Sequence, residues 1–202
     1  IGVSLALRLC IVSLCFLNAG IDIIINGFVI LLLGDISLIQ HFVQHSLPTG
    51  SIFLRMADGI VTGGILGNGS DEPIDLVIRA FCDPGIDTIV SIAPSYGMYE
   101  VASNVNNVDF RKVTLTPDFE LDAEALLEEV DEWVKVIFLC SPNNPTGNSL
   151  NRDEIYKILK NFEGIVVLDE AYIDFSAEPS FLPELKKFPN LIVLQTLSKA
   201  WV

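Results

Sequence analysis

The tightest constraint on the fold is a set of short apolar runs that each end in polar residues. Gly164–Leu168 and Leu191–Leu194 are apolar throughout, and Val134–Leu139 is interrupted only by Lys135. A strand with no alternation of apolar and polar positions is buried on both faces. It therefore belongs in a mainly parallel sheet covered by helices on either side. The intervening segments supply those helices. Ser70-Asp71-Glu72-Pro73 reads as a helix start, with a capping hydroxyl, acids in the first turn and a proline where its missing N–H costs nothing. Ile74, Leu76, Val77, Ile78 and Phe81 form its apolar face, and Asp83-Pro84-Gly85 ends it. Asp87–Ala93 reads as a strand, Gly97–Asn104 as a helix and Val108–Leu115 as extended. Asp122–Val130 and Asp153–Phe162 are read as helices. The expected class is α/β, with an incomplete large domain over residues 66–202.

The first 65 residues are different. Of the chain's 12 basic and 26 acidic side chains, only two (Arg8, Arg55) and three (Asp22, Asp35, Asp58) precede residue 66. Val3–Leu17 and Ile21–Leu33 are apolar, but each falls short of the roughly 20 residues that span a bilayer. A span joining them would place Asp22 and Asn26 in the membrane at considerable cost. No convincing cleavage site marks a signal peptide. Buried helices or strands, or a segment foreign to the fold behind it, are the favoured readings of 1–65, with membrane association of 1–33 the lesser one. His41 and His45 lie four apart without a Cys or carboxylate companion, so no metal site is expected. Cys10, Cys15, Cys82 and Cys140 make no CxxC pair and read as free thiols of a reducing, cytoplasmic compartment. The net charge of −14 argues against a nucleic-acid partner, because phosphate binding needs a basic face.

Ligands of open α/β sheets gather just beyond the carboxyl ends of the strands, and three such ends carry chemistry here. Val134–Leu139 leads into Cys140-Ser-Pro-Asn-Asn-Pro-Thr-Gly147, Gly164–Leu168 into Asp169-Glu-Ala-Tyr172, and Leu191–Leu194 into Gln195-Thr-Leu-Ser-Lys199. Taken singly, Asn144-Pro-Thr-Gly147 is turn chemistry, Asp169 a cap and Lys199 a surface lysine. An amide, an acid with a phenol, and a hydroxyl-flanked amine in this order form a constellation.

With Gly67-Asn-Gly-Ser-Asp-Glu72, Pro94-Ser-Tyr-Gly97, Ser141–Gly147, Val167–Phe175 and Thr196–Ala200, the stretch Leu66–Val202 resembles the large domain of fold-type I aminotransferases. The Asp169–Phe175 run favours the histidinol-phosphate branch. The resemblance implies pyridoxal 5'-phosphate as cofactor and Lys199 as the catalytic amine that bonds its aldehyde carbon and then moves a proton. It implies Asp169 against the pyridine nitrogen, Asn144 and Tyr172 on the phenolic oxygen, and Tyr96 stacked on the ring. The phosphate is expected on the backbone N–H groups of Ser70 and Asp71 and the hydroxyls of Thr196 and Ser198, with the Asp71 and Glu72 carboxylates aimed away. Amino-acid and oxo-acid substrates and a homodimer are implied too. The likeness stops at Val202, before the arginine-bearing stretch and small domain typical of such enzymes, so a truncated core with weak cofactor binding is expected. Aromatic aminotransferase, phospho-amino-acid decarboxylase and inactive remnant remain open as alternatives.

Overall fold

The computed structural model describes residues 28–33, 53–54, 63–196 and 198–199. They form one eight-stranded sheet of β1 (Phe28–Leu33), β2 (Phe53–Leu54), β3 (Gly63–Asn68), β4 (Thr88–Ala93), β5 (Asp109–Thr114), β6 (Val134–Cys140), β7 (Ile165–Asp169) and β8 (Leu191–Thr196). The order across the sheet is β2-β3-β1-β8-β7-β6-β4-β5. The five strands from β8 to β5 run parallel to their neighbours, while β1 is antiparallel to both β8 and β3, and β2 is antiparallel to β3.

Among the described residues four α-helices cover it: α1 (Asp71–Phe81), α2 (Met98–Val105), α3 (Ala123–Glu128) and α4 (Arg152–Asn161). Alternate residues of each central strand feed two separate cores, as the pleat requires. Val136, Phe138 and Cys140 pack with Ile74, Val77, Ile78, Tyr99 and Ala102 beneath α1 and α2. Ile137 and Leu139 pack with Leu126, Ile155, Ile158 and Leu159 beneath α3 and α4. Every residue of β7 is buried, which accounts for its unbroken apolar run up to Asp169.

The α/β class with helices on both faces stands, as do the expected elements of residues 70–196, to within two residues at most ends. One local expectation fails. Ser70 sits at the N-cap of α1, but its backbone is already helical (φ −71, ψ −26) and its side chain makes no capping bond. A capping hydroxyl needs an extended backbone to reach back to the first turn. Asp122 has one (φ −106, ψ 103) and caps α3 by accepting from the Glu124 and Ala125 N–H groups at 3.0 and 3.1 Å.

Residues 28–33, the end of the second apolar run, are a strand of the sheet, and no described helix is long and apolar enough to cross a membrane. β3 runs across the point where the composition changes. His41, His45, Cys10 and Cys15 lie outside the described residues. Cys82 and Cys140 are free and buried, and burial is the main force pushing both thiols up to about 12.

Candidate active site

The carboxyl ends of the parallel strands build the site. In register, Cys140 of β6, Asp169 of β7 and Leu194 of β8 stand side by side at that edge. Ser70, Tyr96, Asn144, Asp169, Tyr172 and Lys199 line one narrow cleft there, joined by Cys140 and Ala171. Ser70 comes from the start of α1, Tyr96 from the turn before α2, and the others from the segments that follow β6, β7 and β8. The wall made by Asn144 and Tyr172 is shared with a wider groove of about 450 Å³ running past Pro142, Gly147 and Phe175.

Asp169 is the most deeply buried charged group lining the cleft, 2% exposed. Its Oδ2 accepts from the Tyr99 hydroxyl at 2.7 Å, and its Oδ1 from the Ala171 N–H at 3.1 Å. Burial raises its carboxyl above the usual range, against the pull of those two donors. A carboxylate has about four acceptor positions, so lone pairs remain for a further donor.

The turn that carries Asn144 is anchored by its neighbour Asn143. The Asn143 side chain is buried and ties its own turn to the segment after β4: its Nδ2 donates to the Pro94 carbonyl (3.0 Å) and to Thr146 Oγ1 (2.8 Å), and its Oδ1 accepts from Ser95 Oγ (3.0 Å). Gly147, at φ +80, closes the turn by donating its N–H to the Asn143 carbonyl at 2.7 Å. Among the described residues neither the Asn144 side-chain amide nor the Tyr172 hydroxyl has a hydrogen-bond partner. Both line the cleft, as an amide and a phenol awaiting a polar ligand would. Lys199 Nζ lies 5.5 Å from the centroid of the Tyr172 ring.

Tyr96 meets Tyr99 edge-on at 5.6 Å, and its hydroxyl donates to Asp71 Oδ1 at 3.1 Å. Burial and then the Asp71 carboxylate push the Tyr96 phenol up to about 12. The Asp71 side chain is therefore turned toward Tyr96 and not away from the site, because the phenol offers it a donor. Asp71, Thr196 and Ser198 do not themselves line the cleft. The Thr196 and Ser198 hydroxyls bond each other at 2.8 Å, and the Ser198 N–H donates to Thr196 Oγ1 at 3.2 Å.

Three residues escaped the sequence reading. Tyr99 sits behind Asp169; its position three residues after Tyr96, at the start of a predicted helix, was the available signal. Asn143 enters the sequence reading only as one residue of the Ser141–Gly147 run, with no role of its own. Glu170, 1% exposed, accepts from Ser180 Oγ (2.6 Å), the Phe181 N–H (2.7 Å) and Gln195 Nε2 (2.8 Å), and so fastens the segment between β7 and β8.

The profile of aminotransferase class I and II matches residues 61–202. A histidinol-phosphate aminotransferase of Parabacteroides distasonis is 79% identical over 136 residues, and one of Bacteroides thetaiotaomicron is 65% identical over the same length. In each case the match covers 67% of this chain and 39% of the relative. The chain thus spans about two-fifths of the length of the curated relatives it matches. Among solved structures, the histidinol-phosphate aminotransferase from Clostridium acetobutylicum superposes with a TM-score of 0.61 at 26% identity, over 81% of this chain and 44% of that one. A putative histidinol-phosphate aminotransferase from Erwinia carotovora gives 0.59 at 29% identity, over 65% and 40%. With the strand-end cleft, this match across most of its length shows that the chain belongs to the class I and II aminotransferase family.

Proposed function

We propose that the chain is the cofactor-binding part of a pyridoxal-phosphate-dependent aminotransferase of histidine biosynthesis, moving an amino group between L-glutamate and imidazole-acetol phosphate. The observation that carries this reading is the gathering of Lys199, Asp169, Asn144 and Tyr172 around one cleft. The name of the 79%-identical relative, histidinol-phosphate aminotransferase, supports the histidinol-phosphate side of the reaction.

The donor set fits the cofactor. Burial makes the Asp169 anion unfavourable alone, and a protonated ring nitrogen is the partner that offsets that cost. The unpartnered Asn144 amide and Tyr172 phenol suit the cofactor's phenolic oxygen, and Tyr96 suits a ring face. The Ser70 and Asp71 N–H groups open α1 and favour an anion. In the Thr196–Ser198 pair one hydroxyl proton is occupied by the mutual bond, leaving the other to donate to a phosphate.

Pyridoxal phosphate, when bound, supplies an electrophilic carbon and an electron-accepting ring. The chain's own part is to hold and orient it and to handle protons. Lys199 would hold the cofactor through its amine and would carry a proton to and from the substrate Cα. Asp169 would hold the ring nitrogen in its protonated form, and Asn144 and Tyr172 would hold the phenolic oxygen. A homodimer in the cytoplasm is part of the same reading.

Borohydride reduction of the chain with pyridoxal phosphate, followed by peptide mapping, tests it. Label confined to Lys199, and amino transfer to the bound cofactor from glutamate or histidinol phosphate in preference to aromatic amino acids, is the expected result. Absence of label at Lys199 would overturn the assignment.

A further inference from the structure

Tyr99 is wholly buried in the first turn of α2 and does not line the cleft, yet it reaches the acid on the cleft floor. Its ring is held from two sides. It stacks on Phe138 of β6 at 4.7 Å with the planes 13° apart, and receives Tyr96 edge-on at 5.6 Å. Phe138 pairs with Val167 in register, two residues before the Cys140–Asp169 pair. The stack therefore lays the Tyr99 ring along β6, with its hydroxyl aimed at the end of β7. The two donors to Asp169 differ in kind: Ala171 donates from the backbone two residues on, whereas Tyr99 donates from another element.

We infer that Tyr99 is the positioning residue for Asp169: its hydroxyl, fixed by the stack on Phe138, holds Oδ2 and leaves the remaining lone pairs of the carboxylate facing the cleft. The inference rests on the cofactor reading above, since it assigns Tyr99 to the acid that would meet the ring nitrogen. Such an arrangement links the ring platform to the acid through one side chain, because Tyr96 leans on Tyr99 and Tyr99 bonds Asp169. The competing reading is that a buried phenol simply found the nearest acceptor. The two differ in what the hydroxyl does to Asp169. The other titratable groups around that carboxyl are Cys140 at the end of β6, Glu170 beside it, Tyr172 after β7, Asp71 of α1, Tyr96 from the turn before α2, and Lys199 after β8. The Tyr96 hydroxyl already donates to Asp71 and the Cys140 thiol to the Pro142 carbonyl, so neither proton is free to replace the lost donor when the Tyr99 hydroxyl is removed.

The test is Tyr99→Phe in the full chain, which keeps the ring and its stack and deletes one O–H. With carboxyl-labelled aspartate, the Asp169 titration followed by NMR without cofactor should move up by about one to two pH units, the size of a hydrogen bond to a charged acceptor. An unmoved Asp169 midpoint, whatever happens to stability, overturns the inference. Asp169→Asn supplies the reciprocal measurement if the first variant fails to fold. The Tyr99 phenol is raised by burial and next by Asp169, so its midpoint should fall in this variant, and an unchanged value also overturns the inference. Adding pyridoxal phosphate then separates this inference from the functional reading. Wild-type chain that takes up no cofactor sinks the function and leaves the titration result standing. Uptake by wild type with about tenfold or greater weakening in Tyr99→Phe is the expected outcome, and equal uptake by both counts against positioning.

Discussion

Lys199 Nζ stands 5.5 Å from the centroid of the Tyr172 ring, within the distance at which a protonated amine is drawn to an aromatic face. One residue thus has two separable parts, a ring beside the lysine and a hydroxyl without a hydrogen-bond partner among the described residues. Tyr172→Phe keeps the first and removes the second, and Tyr172→Ala removes both. The ring contact is worth about 0.5–1 kcal/mol at an exposed site, so the alanine variant should capture pyridoxal phosphate about two- to fivefold more weakly than the phenylalanine variant. Equilibrium titration of the visible band checks this, and equal affinities would show that the ring does not hold the amine.

Glu170 should matter more to the fold than to chemistry. Removing its carboxylate in Glu170→Ala strands the buried Phe181 N–H and takes an acceptor from Ser180 and Gln195. A buried donor left without an acceptor costs about 1–3 kcal/mol. The urea midpoint should drop by that order, and amide exchange at Phe181 should quicken more than exchange in α4. Uniform quickening across the sheet would instead mean that Glu170 supports the whole domain.

Burial raises both Asp169 and Glu170 above their ordinary values of 3.8 and 4.5. An acid with a raised folded-state value binds its proton more tightly folded than unfolded. Its contribution is therefore complete below the unfolded value and is lost as the pH climbs through the folded one. The cofactor-free chain should lose stability from about pH 4 upward through these two groups, and the double substitution Asp169→Asn, Glu170→Gln should flatten that slope. Urea midpoints across pH 4–7 measure it, and parallel curves for the two proteins would contradict the assignment.

Gly164 sits where any side chain collides. A Cβ there would lie 2.6 Å from the Lys135 carbonyl oxygen, on top of a contact with the Phe162 ring. The ring can turn, but the carbonyl belongs to β6. Gly164→Ala should therefore destabilise by about 1–3 kcal/mol, as overpacking does, without altering cofactor capture per folded molecule. Thermal melts and the borohydride label together check both halves.

Much of this was legible because the parallel sheet writes its burial directly into the chain. Ile165–Leu168 and Leu191–Leu194 are apolar because each side faces a helix layer, and the polar residues that follow them are where the sheet runs out. Asn144, Asp169 and Lys199 could be picked out as a set for that reason. Tyr99 could not, because its partner lies 70 residues away and the meeting depends on how α2 sits against β6. The Ser70 cap failed on a backbone angle that composition does not encode, while Asp122, of the same class of residue, has the angle and caps. The place of Phe28–Leu33 was equally hidden, since six apolar residues fit any interior slot.

That slot has a consequence for how the molecule is tied together. β1 lies outside the span matched by the family profile, yet it bridges β3 and β8, which both lie within it. The backbone link between the strand that delivers Ser70 and the strand that delivers Lys199 passes through these six residues. A chain cut just before residue 61 would present two unsatisfied strand borders facing each other, each a template for a foreign strand. Phe28–Leu33 thus serves as the seam that keeps the two flanks of the cleft in one sheet.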